Sequence, residues 1–379
     1  MMDYQVLKFI WWILIGVLLV GFTITDGFDM GVGTLLRVLG KSDTERRVMI
    51  NSIAPHWDGN QVWLVTAGGA IFAAWPIVYA TSFSGFYLAI VLALAALWFR
   101  PVGFDYRSKL ENSKWRNAWD WGITFGSFVP PLIFGVAFGN LLQGVPFHFD
   151  EYMRSFYTGS FFALLNPFGI LAGLVSVMMV VTQGAAWLQM KTDSDLLIRA
   201  RKCTVITGIL SAILFALAGV WLAYGIDGYT LTSAVNANQD LTPLMKQATV
   251  TPGAWLVNYS KYPILIVAPV LGIGGMLIAA LASLKQKGGL AFLFSSLGIA
   301  GIIFTAGGSM FPFLMPSSTN PAMSLTVWDA TSSQHTLLIM FFVACVMVPI
   351  VLLYTLWNYW VMRGRLSSKH IEDNSHSLY

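Results

Sequence analysis

The sequence predicts an all-α, polytopic membrane protein: one bundle of about nine membrane-crossing helices, forming a single domain over residues 1–379. Three observations predict it. Only 11% of the residues are charged and 56% are hydrophobic, whereas a soluble domain carries about 25% charged residues. Nine segments meet or approach the roughly 20 apolar residues that a helix needs to cross the hydrocarbon. Lys and Arg crowd into alternate connections between those segments, as membrane topology demands.

The first segment, residues 9–30, has no small-residue cleavage site after its apolar run and is read as a retained helix. It ends in TDGFDMGVG. The second, 55–78, opens with the polar string PHWDGNQ and is the least regular. The third, 79–99, runs into WFRPVGFDYRSK, where Pro101 is expected to stop or kink the helix. The fourth covers 121–141. The fifth, 162–187, ends between Gln183 and Gln189, which are expected to bond between helices. The sixth covers 203–224, and a long connection over 225–261 follows, with Asp227, Asp240, Pro243 and Pro252. The seventh and eighth cover 262–283 and 289–310. Three prolines forbid one regular helix over 311–334. The Phe, Met and Trp residues of that stretch suggest contact with the membrane or a partner. Asp329 there reads as a helix cap or a partner contact. The ninth segment is 337–360.

The connections orient the bundle. With the one after the first helix placed in the cytoplasm, the cytoplasmic segments hold eighteen of the 22 Lys and Arg residues. Only Lys8, Arg154, Lys246 and Lys261 remain outside. The expected N-terminus is periplasmic and the C-terminus cytoplasmic. The net charge of +4 has the same origin, and no basic patch with interleaved aromatics points to nucleic acid. Cys203 and Cys345 make neither a disulfide framework nor a metal motif and read as small buried hydrophobes. Most of the aromatic residues read as interfacial belts.

Charge within or beside an apolar span is the most informative feature of such a sequence. Asp26 and Asp29 are three residues apart and share a helix face. They read either as interfacial carboxylates or as a proton or ion site, with Gly27 and Gly31 permitting close helix packing. His56 and Asp58 enter from the same side, so Asp26, Asp29, His56 and Asp58 are expected to form one polar cluster able to pass protons. Arg100 either snorkels to headgroups or pairs with a buried acid. Asp105 and Asp120 lie on the same side and complete the proton-path candidates. Nucleotide-binding and covalent-haem motifs are absent, and the five histidines are too few for several redox centres. His148 falls in an outer connection, His335 at a helix start, and His370 and His376 in the tail.

TDGFDMGVG, ERRVMINSIAPHWDGNQVWL, FRPVGFDYR and the ending NSHSLY resemble subunit II of the cytochrome bd ubiquinol oxidases, in its enterobacterial form. The resemblance covers the whole chain, and the string from His56 to Trp63 is its most specific part. It implies a non-haem subunit of a bacterial inner-membrane complex that oxidises ubiquinol, reduces oxygen to water and generates a proton motive force. The implied partners are a larger subunit I, which would ligate haem b558, haem b595 and haem d, and a small single-helix accessory subunit. A structural ubiquinone in this chain is implied as well. By motif match, Asp58 and its neighbour Trp57 correspond to the polar approach to the haem region, with Trp57 a quinone or haem-proximal contact. Asp29 corresponds to an acid of the first helix, and Arg100 and Asp105 lie in the matching connection. Trp63 corresponds to the aromatic beside an oxygen path. A secondary transporter is the competing reading, since membrane acids and broken helices also serve transport. A purely structural assembly partner is the third.

Overall fold

The structure is a computed structural model that describes residues 2–373 and residue 379. His376 and all but the last residue of the NSHSLY ending lie outside the described residues. Among the described residues thirteen α-helices carry the fold: α1 (Tyr4–Leu39), α2 (Asp43–Asn51), α3 (Trp57–Ala74), α4 (Pro76–Gly85), α5 (Tyr87–Arg107), α6 (Ser113–Gln143), α7 (Pro167–Lys191), α8 (Ser194–Gly225), α9 (Val257–Lys261), α10 (Val267–Leu284), α11 (Gly288–Met310), α12 (Gln334–Val361) and α13 (Ser368–Asp373). Among the described residues eight segments are long and apolar enough to cross a membrane, and the α3–α4 pair, bent by 119°, would bring the number to nine if counted as one broken span.

The connections sort to two ends. At one end Arg46 pairs with Asp120, Glu45 with Arg199, and Lys191 Nζ donates to the Met362 carbonyl. At the other end Lys8 Nζ donates to the carbonyls of Gln239 and Trp328, and Val145 bridges to Ser317. The first is the basic end picked out by the sequence. α2 lies there, while α4 packs against the opposite end. Among the described residues α1, α5, α6, α7, α8, α10, α11 and α12 are the eight long apolar helices, and α3 runs from the basic end toward the opposite one. Its 18 residues reach about 27 Å.

The second and third expected spans are therefore displaced. Hydropathy continues unbroken through the seventies of the sequence, but α3 stops at Ala74 and the chain turns at Trp75. Pro76 has no N–H to lose and sits in the first turn of α4. The third passage starts at Tyr87 rather than at residue 79, and it runs through Pro101 to Arg107 without stopping. α1 is longer than expected at both ends.

α1 is the axis of the bundle and packs on α3, α6 and α7. A Cβ on Gly31 would lie 2.0 Å from the Val180 carbonyl, and one on Gly184 2.5 Å from the Gly31 carbonyl carbon. The two backbones touch there, which only a missing side chain permits. Gly27 is less tightly held, with Val180 Cγ1 at 3.4 Å. As expected, Gln183 and Gln189 bond across helices. Gln183 donates to Ser296 at 2.8 Å and accepts from Ser295, and Gln189 donates to Thr204 at 2.7 Å and accepts from Ser283 at 3.1 Å.

Three antiparallel hairpins cap the end opposite the basic one: β1 (Phe147–Phe149) with β2 (Ser155–Tyr157), β3 (Gly228–Leu231) with β4 (Ala248–Thr251), and β5 (Phe313–Met315) with β6 (Leu325–Thr326). The connection 311–334 turns its apolar residues into this cap. Phe313, Met315, Leu325 and Val327 are all buried in the chain's own core. Asp329 does not cap a helix: it pairs with Lys246 at 2.9 Å and accepts from the Thr326 amide and hydroxyl, while Ser333 caps α12. α12 is the least packed passage, with Leu337 its one buried residue. Cys345 on that helix is exposed, and Cys203 is half-buried.

Candidate functional site: a buried polar chain at the basic end

The Gly31–Gly184 contact brings the acidic end of α1 into the middle of the bundle. Asp26 and Asp29 are fully buried. Arg100 of α5, also buried, grips Asp26 with both terminal nitrogens, at 2.5 and 3.1 Å. A planar guanidinium matches a carboxylate in this two-pronged way. Asp29 has a different partner: its Oδ2 accepts from the Asn60 side-chain amide of α3 at 2.8 Å. Its Oδ1 is buried with no hydrogen-bond partner among the described residues.

Asn60 carries the chain onward. Its Oδ1 accepts from the hydroxyl of Tyr359, near the end of α12. The Tyr359 ring stacks on His56, with centroids 4.7 Å apart, and Asn358 Nδ2 contacts His56 Nδ1 at 3.4 Å. Trp187 closes the side, edge-on to His56 and stacked on Phe28 at 4.1 Å. Its indole N–H donates to the Ser52 carbonyl. The order is thus Arg100–Asp26, then Asp29–Asn60–Tyr359, then His56. A carboxyl, a phenol and an imidazole exchange protons, whereas the Asn60 amide only orients its neighbours.

A second charged network lies nearer the basic surface. Buried Asp120 takes Arg107 Nε at 2.5 Å and Arg46 at 2.7 Å, and Arg107 and Arg116 both reach Asp43 at 2.8 Å. α2 is fixed into it by a capping box of Ser42 and Glu45. Partial burial pushes the Glu45 carboxyl up, but the Arg199 guanidinium and the amides of Lys41 and Ser42 outweigh it. They hold the group below its ordinary range.

The candidates from the sequence divide accordingly. Asp26, Asp29, His56 and Arg100 come together. Asp120 belongs to the second network, bound by two arginines. Asp58 and Asp105 are exposed and stand outside the cluster. Asp58 has the opposite face of α3 from Asn60, because two residues turn a helix by more than half a circle. Trp57 is half-buried and packs near Phe104. Trp63 lies over Gly21 of α1, where a Cβ would sit 2.6 Å from its ring. Sequence pattern alone does not single out Asn60, Asn358 or Tyr359 as members of the cluster. Asn60 carried one legible signal, as an amide inside an apolar segment. Tyr359 has no such signal, being one aromatic among several near helix ends.

Among the described residues, no three of His, Cys, Asp and Glu are grouped to hold a metal ion. His56 does not fit a haem: its ring is stacked on Tyr359, its edge meets Trp187 and its Nδ1 faces Asn358.

Fold and site together define a multi-pass helical membrane protein with a buried cluster of charged and titratable side chains. The sequence profile of cytochrome bd terminal oxidase subunit II matches residues 7–362. The chain is 62% identical to cytochrome bd-I ubiquinol oxidase subunit 2 of Escherichia coli K12 over all of both chains. It is 58% identical to a probable cytochrome oxidase subunit 2 of Haemophilus influenzae, again over both full lengths. It is 36% identical to cytochrome bd ubiquinol oxidase subunit 2 of Bacillus subtilis, over 95% of this chain and 97% of that one. The structure of bd oxidase from Geobacillus thermodenitrificans has a chain of the same fold, with a TM-score of 0.65 at 17% identity, covering 95% of this chain and all of that one. The chain belongs to the cytochrome bd terminal oxidase subunit II family.

Proposed function

We propose that the chain is the haem-free subunit of a quinol oxidase complex in the bacterial inner membrane, which oxidises ubiquinol, reduces oxygen to water and generates a proton motive force. The observation that carries this is the full-length match to a ubiquinol oxidase subunit at 62% identity. A larger subunit I supplies the haems, with a small single-helix subunit beside it. The haems, when bound there, carry the electrons and the oxygen chemistry.

This chain's own work is support and proton handling. The basic end faces the cytoplasm, as the Lys and Arg bias requires, and the N-terminus faces the periplasm. Protons taken up from that side meet the exposed carboxylates Asp58 and Asp105 and the buried cluster of Asp26, Asp29, His56 and Arg100. Asp120, held by two arginines, fixes the cytoplasmic connections. Trp63 borders an oxygen path, and Trp57 is the residue placed to meet a quinone ring or a haem edge.

Co-purification tests the assignment: a tagged chain should bring down a haem-bearing subunit with quinol-driven oxygen uptake. A chain found alone and active in solute uptake would overturn it. Asp58→Asn tests the proton role, and should cut oxygen uptake while assembled haem stays intact. Normal uptake at normal haem content would sink that role, and loss of all haem spectra would assign Asp58 to assembly instead.

A further inference from the structure

The cluster contains two carboxylates and one guanidinium, whose Nε is buried without a hydrogen-bond partner among the described residues. Arg100 binds Asp26 through both terminal nitrogens. Asp29, one turn further along the same helix, receives a single neutral amide hydrogen on Oδ2. Its Oδ1 is buried and unpartnered among the described residues. A buried charge without a partner is costly, and such a group neutralises instead. The groups facing Asp29 from the surrounding elements are Asp26 of α1, Arg100 of α5, Asn60 of α3 with His56 before it, and Tyr359 of α12. Lys191 of α7 lies beyond, over the Trp187 ring.

The Asn60 amide is held at both ends: its Oδ1 accepts from the Tyr359 hydroxyl and its Nδ2 donates to Asp29 Oδ2. We infer that Asp29 is the proton-carrying member of the two carboxylates and that Tyr359 is a positioning residue for it, acting through Asn60. The inference rests on the proton-handling role proposed above. It gives α12 a task that its packing does not suggest. The helix buries almost nothing along its length, yet its end is pinned at the site by Tyr359, by Asn358 on His56, and by Lys191 on the Met362 carbonyl. A displacement of α12 would reach Asp29 through one hydroxyl and one amide.

The test is infrared difference spectroscopy on the purified oxidase complex, in H2O and D2O, with oxygen uptake across pH and haem spectra in parallel. The wild type should show a protonated-carboxyl C=O stretch that Asp29→Asn removes. Tyr359→Phe should keep that band but move its frequency and its deuterium sensitivity. It should lower uptake about tenfold, displace the pH profile and leave the haem spectra unchanged. If Tyr359→Phe fails to assemble, Asn60→Thr is measured in the same way, since it leaves Tyr359 and takes the amide from Asp29. Absence of an Asp29 band, or a band and pH profile unmoved in these variants, overturns the inference and leaves the Asp58 route standing. An Asp29 band that moves in Tyr359→Phe at normal uptake supports the positioning and counts against that proton route.

Discussion

Arg100→Leu is the most informative single change. The side chains of Arg100 and Asp26 are 1% and 0% exposed, so water cannot replace either partner. At an effective dielectric of about 20 and a charge separation of roughly 4 Å, the attraction is about 4 kcal/mol. Its loss leaves Asp26 without a counter-charge one turn from Asp29. Removing one partner of such a pair costs about 3–5 kcal/mol, a large part of the roughly 5–15 kcal/mol that holds a domain folded. Arg100→Leu should therefore sharply lower the yield and thermal stability of the detergent-solubilised complex. The double change Asp26→Asn with Arg100→Leu should recover most of the loss, because no unpaired charge then remains between them. Arg100→Lys should fall between, keeping the charge but losing the two-pronged grip. The assay is a double-mutant cycle on thermal denaturation, with haem absorbance as the check on assembly. Wild-type stability in Arg100→Leu would refute the reasoning. A double variant no better than the single would refute it equally, since the cost would then not lie in the unpaired carboxylate.

The remaining predictions concern the frame around the site. Gly31→Ala should abolish accumulation of folded chain in membranes, since its Cβ would lie 2.0 Å from a carbonyl oxygen. Gly27→Ala, with its nearest neighbour at 3.4 Å, should accumulate normally, and immunoblots of membrane fractions compare the two. Glu45 is held below its ordinary range in the folded chain, so the unfolded chain binds its proton more readily. Its stabilising effect is complete above the ordinary carboxylate range and is lost as pH falls through the folded value. Glu45→Gln should accordingly flatten the acid side of a stability-against-pH curve, lowering stability at neutral and alkaline pH and meeting the wild-type curve at acid pH.

Much of the fold was legible because a membrane imposes few solutions. Apolar runs of sufficient length must be helices, and the partition of Lys and Arg allowed an odd number of them. The turn at Trp75–Pro76 was not legible, since hydropathy is the same on both sides and Pro76 suits a helix start as well as a break. The hairpins were also hidden. They form where short apolar strings such as Phe313–Met315 find the cap's interior, and strings that short carry no period. For the site, type and side were readable, and pairing was not. The face shared by Asp26 and Asp29 followed from their spacing, but nothing in that spacing says that Arg100 chooses Asp26.

By itself, then, the sequence determined the solvent, the basic end and the family, because each depends on composition, charge distribution or an uninterrupted string of residues. Tertiary structure alone decided which charges are neutralised. Asp58 and Asn60 lie two residues apart, yet one faces outward and the other holds Asp29. Asn60 and Tyr359 are 299 residues apart and share a hydrogen bond. Such a pairing depends on how closely α1, α3 and α12 approach, and the backbone contact of Gly31 with Gly184 helps to set that approach by fixing α1.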